Sequence, residues 1–228
     1  MECSIQLNAL RVVGRYAANW TEPPKNTDTQ MFSDAPMIGN GDVGVVIGGT
    51  PDSLHFYLGK SEFISLSEGA QKAMSRLILS FPQMEGASYH ARQMISSGKV
   101  RMTFQKGTRV LALTSWIQAT DTTSNLLFIR MWMAGEGELE AAVTFQPGRE
   151  NKAPAILFNE KDLLIQDVSA DEAESVDGEE TVKVRCAARL VGGQSVCENH
   201  ELAFTLRPKD EVTLVVSMMS NLDSADYK

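Results

Sequence analysis

Apolar and polar residues alternate along much of the chain with the period of a β-strand. Between Leu126 and Met133, one face carries four apolar side chains: Leu127, Ile129, Met131 and Met133. The opposite face carries Leu126, Phe128, Arg130 and Trp132, which are also mostly apolar. This alternation among β-prone residues predicts a strand with one face in a core. Because the second face is apolar as well, we expect this strand to lie in the centre of a sheet.

The neighbouring segments continue the pattern and predict further antiparallel strands. Val100, Met102 and Phe104 form the inward face of one strand. Gly107 marks a turn, after which residues 110–117 return as the partner strand. Further strands are expected at residues 139–145, 162–168, 181–190, 201–206 and 211–218. The predicted strands are short and are separated by turns about every 8–12 residues. This pattern is typical of a sandwich or a barrel.

Helical signals are scarce in this sequence. Residues 67–76 can form two helical turns capped by Ser67, although Gly69 weakens that prediction. Strands do not alternate with longer helices, which argues against a parallel α/β sheet. We therefore expect an all-β fold, an antiparallel β-sandwich with at most short helices. It forms a single domain over residues 1–228, in which residues 1–20 are a leading segment.

Charge and hydropathy argue against two classes of partner. The 228 residues include 21 Lys and Arg against 29 Asp and Glu, a formal net charge of −8. Nucleic acid is not expected as a partner, because phosphate binding is mostly electrostatic and needs clustered cations. Charges interrupt every apolar window, so no membrane span is expected. Residues 1–13 lack the features of a signal peptide, which leaves the cellular location unassigned.

Neither a metal site nor a disulfide framework is expected, and no cofactor is predicted. The cysteines are Cys3, Cys186 and Cys197, an odd number without a Cys-x-x-Cys pair. Cys186 and Cys197 can face each other if residues 191–193 form a hairpin turn, but two partly buried thiols are the favoured alternative. Residues 171–180 contain six acids whose spacing does not fit a calcium loop, so a solvated hairpin loop is expected.

One segment matches the G-x-G-x-x-G pattern of dinucleotide-binding loops but lacks its structural context: Gly39-Asn40-Gly41-Asp42-Val43-Gly44. That pattern needs a helix to begin at the third glycine, because the helix N-terminus holds the pyrophosphate. Here the strand-like residues 45–47 follow instead. We expect a tight turn with left-handed backbone angles at Asn40 and Gly41, opening a hairpin with residues 54–58. Gly39, Gly41 and Gly44 are therefore assigned as structural turn residues.

No catalytic residue is predicted within this chain. The histidines are His55, His90 and His200, and no Gly-x-Ser-x-Gly elbow is present. Paired carboxylates can hydrolyse a glycosidic bond, but 29 acids make chance pairs inevitable. The tryptophans are candidate platforms for stacking on sugars: Trp20, Trp116 and Trp132. A buried structural position is favoured for Trp116 and Trp132, because buried aromatics on strands are the commoner case.

The order of several motifs resembles the N-terminal domains of glycoside hydrolase families 65 and 95. Residues 36–44, the Gly48-Gly49 pair and residues 54–60 are similar to the opening hairpin of those domains, and the polar-aromatic segment 61–65 follows. The middle of the chain continues the likeness with Tyr89, Arg92, Met94 and the strands up to residue 133. The likeness spans residues 20–221, and the order and spacing of the motifs carry it.

The resemblance implies a galactose-mutarotase-like supersandwich, followed by a linker and an (α/α)6 barrel that supplies the catalytic acid and base. Residues 223–228 are then the start of the linker. The resemblance places the opening hairpin towards the barrel. It therefore makes Asn40, Asp42, Ser61 and Glu62 candidates for substrate binding or interdomain contact. Asp42 stands where fucosidase-like members usually have Arg, so the specific sugar is left open.

Three functions are compatible with these observations. The leading hypothesis is a non-catalytic sandwich domain that packs on a glycosidase barrel and helps shape its active-site mouth. Under this hypothesis the protein binds its carbohydrate substrate through the barrel. The hypothesis is compatible with a homodimer, and the resemblance implies a secreted or periplasmic location. The second is a free-standing carbohydrate-binding module, which needs a line of exposed aromatic residues on one sheet face. The third is a mutarotase-like epimerase that uses His90 or His200 with a Glu.

Overall fold

The computed structural model describes residues 11–27, 33–66, 69–119, 125–148, 155–171, 175–176 and 179–224. The first ten strands are β1 Ala17–Trp20, β2 Met37–Gly39, β3 Val43–Thr50, β4 Ser53–Lys60, β5 Ile64–Ser65, β6 Ala70–Gln71, β7 Ser75–Ser80, β8 Ser88–Met94, β9 Lys99–Lys106 and β10 Arg109–Ile117. The next ten are β11 Leu126–Ala134, β12 Leu139–Pro147, β13 Ala155–Glu160, β14 Leu163–Ser169, β15 Ser175–Val176, β16 Glu179–Glu180, β17 Lys183–Val191, β18 Ser195–Glu198, β19 Glu201–Leu206 and β20 Glu211–Ser220.

Helical structure is confined to short turns in the described part of the chain. Residues 11–13 form a helical turn, and Pro82–Met84 and Ile95–Ser97 form 3-10 turns. None of the described helices is long and apolar enough to cross a membrane.

The strands form an antiparallel β-sandwich of two large sheets, as the alternation predicts. The nine-stranded sheet has the order β1-β8-β9-β10-β11-β20-β17-β14-β13. The seven-stranded sheet has the order β18-β19-β12-β7-β4-β3-β2. Two small ribbons, β5-β6 and β15-β16, accompany them. All strand pairs in the large sheets are antiparallel, so the all-β prediction is confirmed.

A continuous apolar core lies between the two large sheets. β11 lies between β10 and β20, and its inward residues Leu127, Ile129, Met131 and Met133 are all fully buried. The predicted hairpin of β9 and β10 is also present, and its turn residue Gly107 has φ +60°. Every second residue of these strands faces the core, which is why period two was readable in the sequence.

The helix predicted for residues 67–76 is wrong where the structure describes it. Residues 70–71 form β6, and β7 begins at Ser75 and pairs with both β4 and β12 in the middle of its sheet. Leu77 and Leu79 are fully buried on the inward face of β7. This alternation of buried and half-buried positions prevails over the weak capping signal. Tertiary packing of a central strand thus overrides local helix propensity.

The hairpin that would let Cys186 and Cys197 face each other is not formed. β18 pairs with β19 in the seven-stranded sheet rather than with β17, so the chain changes sheets after Val191. Cys186 is buried, Cys197 is half-buried, and both are free thiols, as the favoured alternative holds. Cys3 lies outside the described residues.

The acidic segment 171–180 is solvated only in part. Asp171 is buried and accepts hydrogen bonds from Ser65 Oγ at 2.5 Å and from the Leu66 backbone N–H at 2.9 Å. It therefore ties the β5-β6 ribbon to the end of β14. Residues 172–174 and 177–178 of this segment lie outside the described residues. Among the residues that are described, no group of three or more His, Cys, Asp or Glu side chains is arranged to hold a metal ion.

Candidate functional site

The turn between β2 and β3 is organised by the side chain of Asn40. Its Oδ1 accepts hydrogen bonds from the backbone N–H groups of Asp42 at 3.0 Å and Val43 at 2.9 Å. Gly41 has φ +98°, as predicted, but Asn40 is not among the residues with positive φ. The left-handed angle expected for Asn40 is therefore wrong, because its side chain bonds the backbone two and three residues ahead and forms an Asx turn.

Lys60 brings a positive charge to this turn from the end of β4. Leu54, Phe56 and Leu58 precede it on the inward face of the strand, and its side chain is fully buried. Lys60 pairs with Val43 across the β3-β4 ladder, which places its ammonium beside the turn. The Nζ atom lies 2.6 Å from Asp42 Oδ2, 3.2 Å from Asp223 Oδ1 and 3.3 Å from Glu62 Oε1.

A ring of neutral side chains holds these carboxylates in place. Asn125 Nδ2 donates to Asp42 Oδ2 at 2.6 Å, and Ser61 Oγ donates to Asp42 Oδ1 at 3.0 Å. Ser220 donates its hydroxyl to Glu62 and its backbone N–H to Asp223 Oδ2 at 2.8 Å. We call this group the Lys60 cluster: Asn40, Asp42, Lys60, Ser61, Glu62, Asn125, Ser220 and Asp223.

The Lys60 cluster joins the two large sheets at one end of the sandwich. Lys60 belongs to the seven-stranded sheet, whereas Ser220 ends β20 in the nine-stranded sheet. Asn40 Nδ2 crosses the same gap by donating to Asn125 Oδ1 at 3.2 Å and to the Gln118 carbonyl at 3.1 Å. The segment that follows β20 is thereby fastened to the β2-β3 turn.

Both members of the central ion pair are held in their charged forms. Burial acts to lower the pKa of Lys60, but hydrogen bonds to Asp42 and Asp223 outweigh it and raise that pKa above its ordinary value. Burial acts to raise the pKa of Asp42, but hydrogen bonds from Lys60, Asn125 and Ser61 hold it below its ordinary value. Hydrogen bonds to the charged form produce both shifts.

This arrangement is suited to anchoring rather than to proton transfer. A lysine acts as a nucleophile only when it is deprotonated, and the raised pKa of Lys60 opposes that. A carboxyl group acts as a general acid only when it is protonated, and the lowered pKa of Asp42 opposes that. Asp42 and Glu62 are nevertheless partly exposed, at 21% and 26% of their side chains, so the cluster presents negative charge at the surface.

The structure brings together the four candidate residues named from the sequence. Asn40, Asp42, Ser61 and Glu62 all belong to the Lys60 cluster. Gly39 and Gly44 pair across the β2-β3 ladder, while Gly41 forms the turn between them.

Four members of the cluster were missed: Lys60, Asn125, Ser220 and Asp223. Of these four, Lys60 alone has a local signal in the sequence, because a lysine follows Leu54, Phe56 and Leu58 at an inward position of the strand. Asn125, Ser220 and Asp223 come from distant parts of the chain, and no local pattern marks them.

The tryptophans take different positions. Trp20 on β1 is half-buried, and its Nε1 donates to the Asp34 carbonyl at 2.6 Å. Trp116 stacks on Phe128 with centroids 5.2 Å apart, and Lys99 Nζ lies 5.1 Å from its ring centroid. Trp116 therefore packs within the structure as expected, although it is half-buried on the outward face of β10 rather than buried. The buried position expected for Trp132 is wrong, because Trp132 is 40% exposed on the outward face of β11.

The histidines lie apart from one another and from the Lys60 cluster. His55 on β4 contacts Tyr57 Oη at 3.3 Å and Ser53 Oγ at 3.2 Å. His90 is exposed on β8, and His200 lies in the turn between β18 and β19 with φ 64°. His90 thus lies in the nine-stranded sheet, whereas His200 lies in a turn of the seven-stranded sheet.

An open groove of about 1060 Å³ runs beside β17 and β19, away from the Lys60 cluster. Its lining includes Asp162 and Arg189, which pair with each other at 2.6 Å. None of the cluster residues lines this groove.

Comparison with known proteins identifies the fold. No protein-family model matches the chain, and no curated protein matches it. Among solved structures, a protein described as a candidate kojibiose phosphorylase from human microbiome matches with a TM-score of 0.54 at 8% sequence identity. The match covers 93% of this chain and 33% of that protein, so this chain corresponds to about a third of its length. The chain therefore shares its fold with about a third of that protein.

Proposed function

We propose that this chain is the non-catalytic sandwich domain of a carbohydrate-active enzyme of the glycoside hydrolase family 65 or 95 type. The end of the sandwich that carries the Lys60 cluster packs against a helical catalytic barrel and helps shape the mouth of its active site. The observation that carries the proposal is the extent of the fold match, 93% of this chain within 33% of a much larger enzyme.

The geometry of the Lys60 cluster supports its place at a domain interface. Asp223 is bound to Lys60, so in a longer protein the segment after Ser224 would leave the sandwich beside Asp42 and Glu62. Ile64 and Leu222, next to the cluster in sequence, are 38% and 56% exposed. A surface that mixes exposed apolar side chains with carboxylates is typical of interfaces between domains.

The chemistry of the cluster supports a non-catalytic role. Glycoside hydrolysis requires one protonated carboxyl group as acid and a second carboxylate as base or nucleophile. The hydrogen bonds that lower the pKa of Asp42 oppose the protonated form. A carboxylate in this setting orients neighbouring groups instead of donating a proton.

Cysteine labelling tests the interface. Ser61 and Ser88 are both exposed, but only Ser61 lies at the Lys60 cluster. We expect a maleimide to label Ser61→Cys more slowly in a protein extended by the helical domain than in residues 1–228 alone. Ser88→Cys, the matched control, should be labelled at the same rate in both. Equal labelling of Ser61→Cys in the two proteins would show that the interface lies elsewhere.

A further inference from the structure

Three arginines form a row on the outward face of the nine-stranded sheet. Arg92 of β8 lies directly opposite Arg101 of β9, Arg101 lies opposite Thr114 of β10, and Thr114 lies opposite Arg130 of β11. All three arginines are exposed. Because neighbouring strands are about 4.8 Å apart, the row spaces its positive charges at roughly 5 and 10 Å. We call Arg92, Arg101 and Arg130 the arginine row.

The arginine row is electrostatically unfavourable in the free protein. Like charges directly opposite each other destabilise an antiparallel pair, and Arg92 and Arg101 are such a pair. Within the part of the chain that the structure describes, no ion pair involves either of them. Arg130 has only a loose contact, 3.7 Å from Glu211. A bound anion would relieve this repulsion.

The row also stands out against the charge of the whole chain, which is −8. Cations outnumber carboxylates at the outward positions of the nine-stranded sheet. The cations there are Arg92, Lys99, Arg101, Arg130, Lys183, Arg185 and Arg189, and the carboxylates are Glu160, Asp167 and Glu211. The field of this face therefore attracts anions, whereas the remaining surface repels them.

Aromatic side chains border the row on both sides. Trp132 lies two residues after Arg130 on the same face of β11, about 7 Å along the strand. It is 40% exposed and lies between Ala112 of β10 and Glu211 of β20. On the other side, the Trp116 ring stacks on Phe128, and Lys99 Nζ lies 5.1 Å from its centroid. Trp132 is therefore the more accessible of the two tryptophans beside the row.

We propose that the arginine row and Trp132 bind a short acidic oligosaccharide, one whose sugar rings carry carboxylate groups. A guanidinium binds a carboxylate with two parallel hydrogen bonds, and a regular row of arginines suits regularly repeated carboxylates. The apolar C–H face of a sugar ring packs against an exposed indole, as that of Trp132 does here. The choice of a sugar as the carrier of the anion rests on the proposed function.

Two other polyanions fit this face less well. A long nucleic acid would run off the row onto the acidic remainder of the surface, where its phosphates are repelled. A folded acidic protein would need buried apolar anchors at the centre of the contact. The half-buried Thr114 lies within the row and the half-buried Thr103 and Thr213 lie beside it, whereas the exposed Trp132 lies at its end.

Calorimetry with matched ligands and matched variants tests the proposal. The probes are oligogalacturonate and its fully methyl-esterified form, which has the same sugars without the charges. We expect the acid to bind and the ester not to bind. Arg101→Ser should weaken binding about tenfold, the loss expected for one charge-assisted contact. Arg207→Ser removes an exposed cation that lies outside the row and should leave binding unchanged, whereas Trp132→Ala should weaken it.

The thermal midpoint supplies a second readout. Arg101→Ser should keep or raise it, because the substitution removes a like-charge contact while the binding falls. Equal binding of the ester, equal binding by Arg101→Ser, or no binding of the acid would each overturn the proposal. So would binding of polyglutamate or oligothymidylate as tight as that of the acid. The labelling of Ser61→Cys does not depend on any of these outcomes, so the two proposals fail separately.

Discussion

At the scale of single residues, Lys60 is the side chain on which the candidate site depends. It is fully buried, and three carboxylates approach its ammonium within 3.3 Å. The strand ladder fixes its position, because it occupies the last inward place of β4. A buried lysine is stable in this place only while its partners keep their charges.

Lys60→Met is expected to destabilise the protein by roughly 3 kcal/mol, since removal of one partner leaves buried charge uncompensated. The free energy of unfolding in urea measures this effect. The double variant Lys60→Met with Asp42→Asn should recover part of the loss, because it also removes one of the unpaired carboxylates. Lys106→Met, at an exposed position of β9, should stay within about 0.5 kcal/mol of the parent. A loss of similar size in both lysine variants would mean that the ion pairs contribute nothing.

Gly41 is the second residue with a specific requirement. Its φ of +98° is strained for any residue with a Cβ, and most of all for a β-branched one. Gly41→Val should therefore destabilise the protein by more than about 1 kcal/mol. Gly44→Val is the control, because a Cβ there would meet no atom within 4 Å and the backbone is not left-handed. Equal thermal midpoints for the two variants would contradict the assignment of the turn.

At the scale of elements, the sequence was most informative where strands have one face in the core. β11, β9 and β10 were predicted from alternation alone, because Leu127, Ile129 and their neighbours repeat with period two. β7 was missed because the polar residues before Leu77 offered a helix cap, and only its pairing with β4 and β12 decides its structure. The crossing of β18 to the other sheet was unreadable for the same reason, since Gly192 and Gly193 fit a hairpin equally well.

Because β11 is a central strand, its inward residues are expected to contribute strongly to the stability of the fold. Ile129 is fully buried between the sheets, so Ile129→Ala should cost roughly 2–5 kcal/mol of stability through lost contacts and a cavity. Thr213→Ala, on the outward face of the neighbouring β20, should change it by less than about 0.5 kcal/mol. Chemical denaturation measures both. A loss below about 0.5 kcal/mol in Ile129→Ala would mean that the core repacks around this position.

At the scale of the whole molecule, polar contacts at one end of the sandwich join the two large sheets. The strands of these sheets were predicted from alternating apolar residues. Four of the residues that form this junction could be named from their likeness to a known hairpin, Asn40, Asp42, Ser61 and Glu62. Asn125 and Ser220 could not, because the partners that bring them into the junction, Asp42 and Glu62, lie 83 and 158 residues away in sequence. Long-range polar contacts leave no periodic trace in a sequence, whereas burial of one strand face does.

This junction should make the stability of the sandwich sensitive to acid. The folded state holds the pKa of Asp42 below its ordinary value of 3.8, so Asp42 contributes stability that is fully present above that pH. The contribution falls as the pH drops below 3.8 towards the folded pKa, because the unfolded chain then binds more protons than the folded one.

Asp42→Asn removes this titration. We therefore expect the variant to be less stable than the parent at pH 7, and the difference to shrink as the pH is lowered through this range. Glu140→Gln, at an exposed position of β12, should follow the parent at every pH. A difference between Asp42→Asn and the parent that stayed constant from pH 7 to pH 3 would show that the Asp42 carboxylate does not depend on its charge to hold the two sheets together.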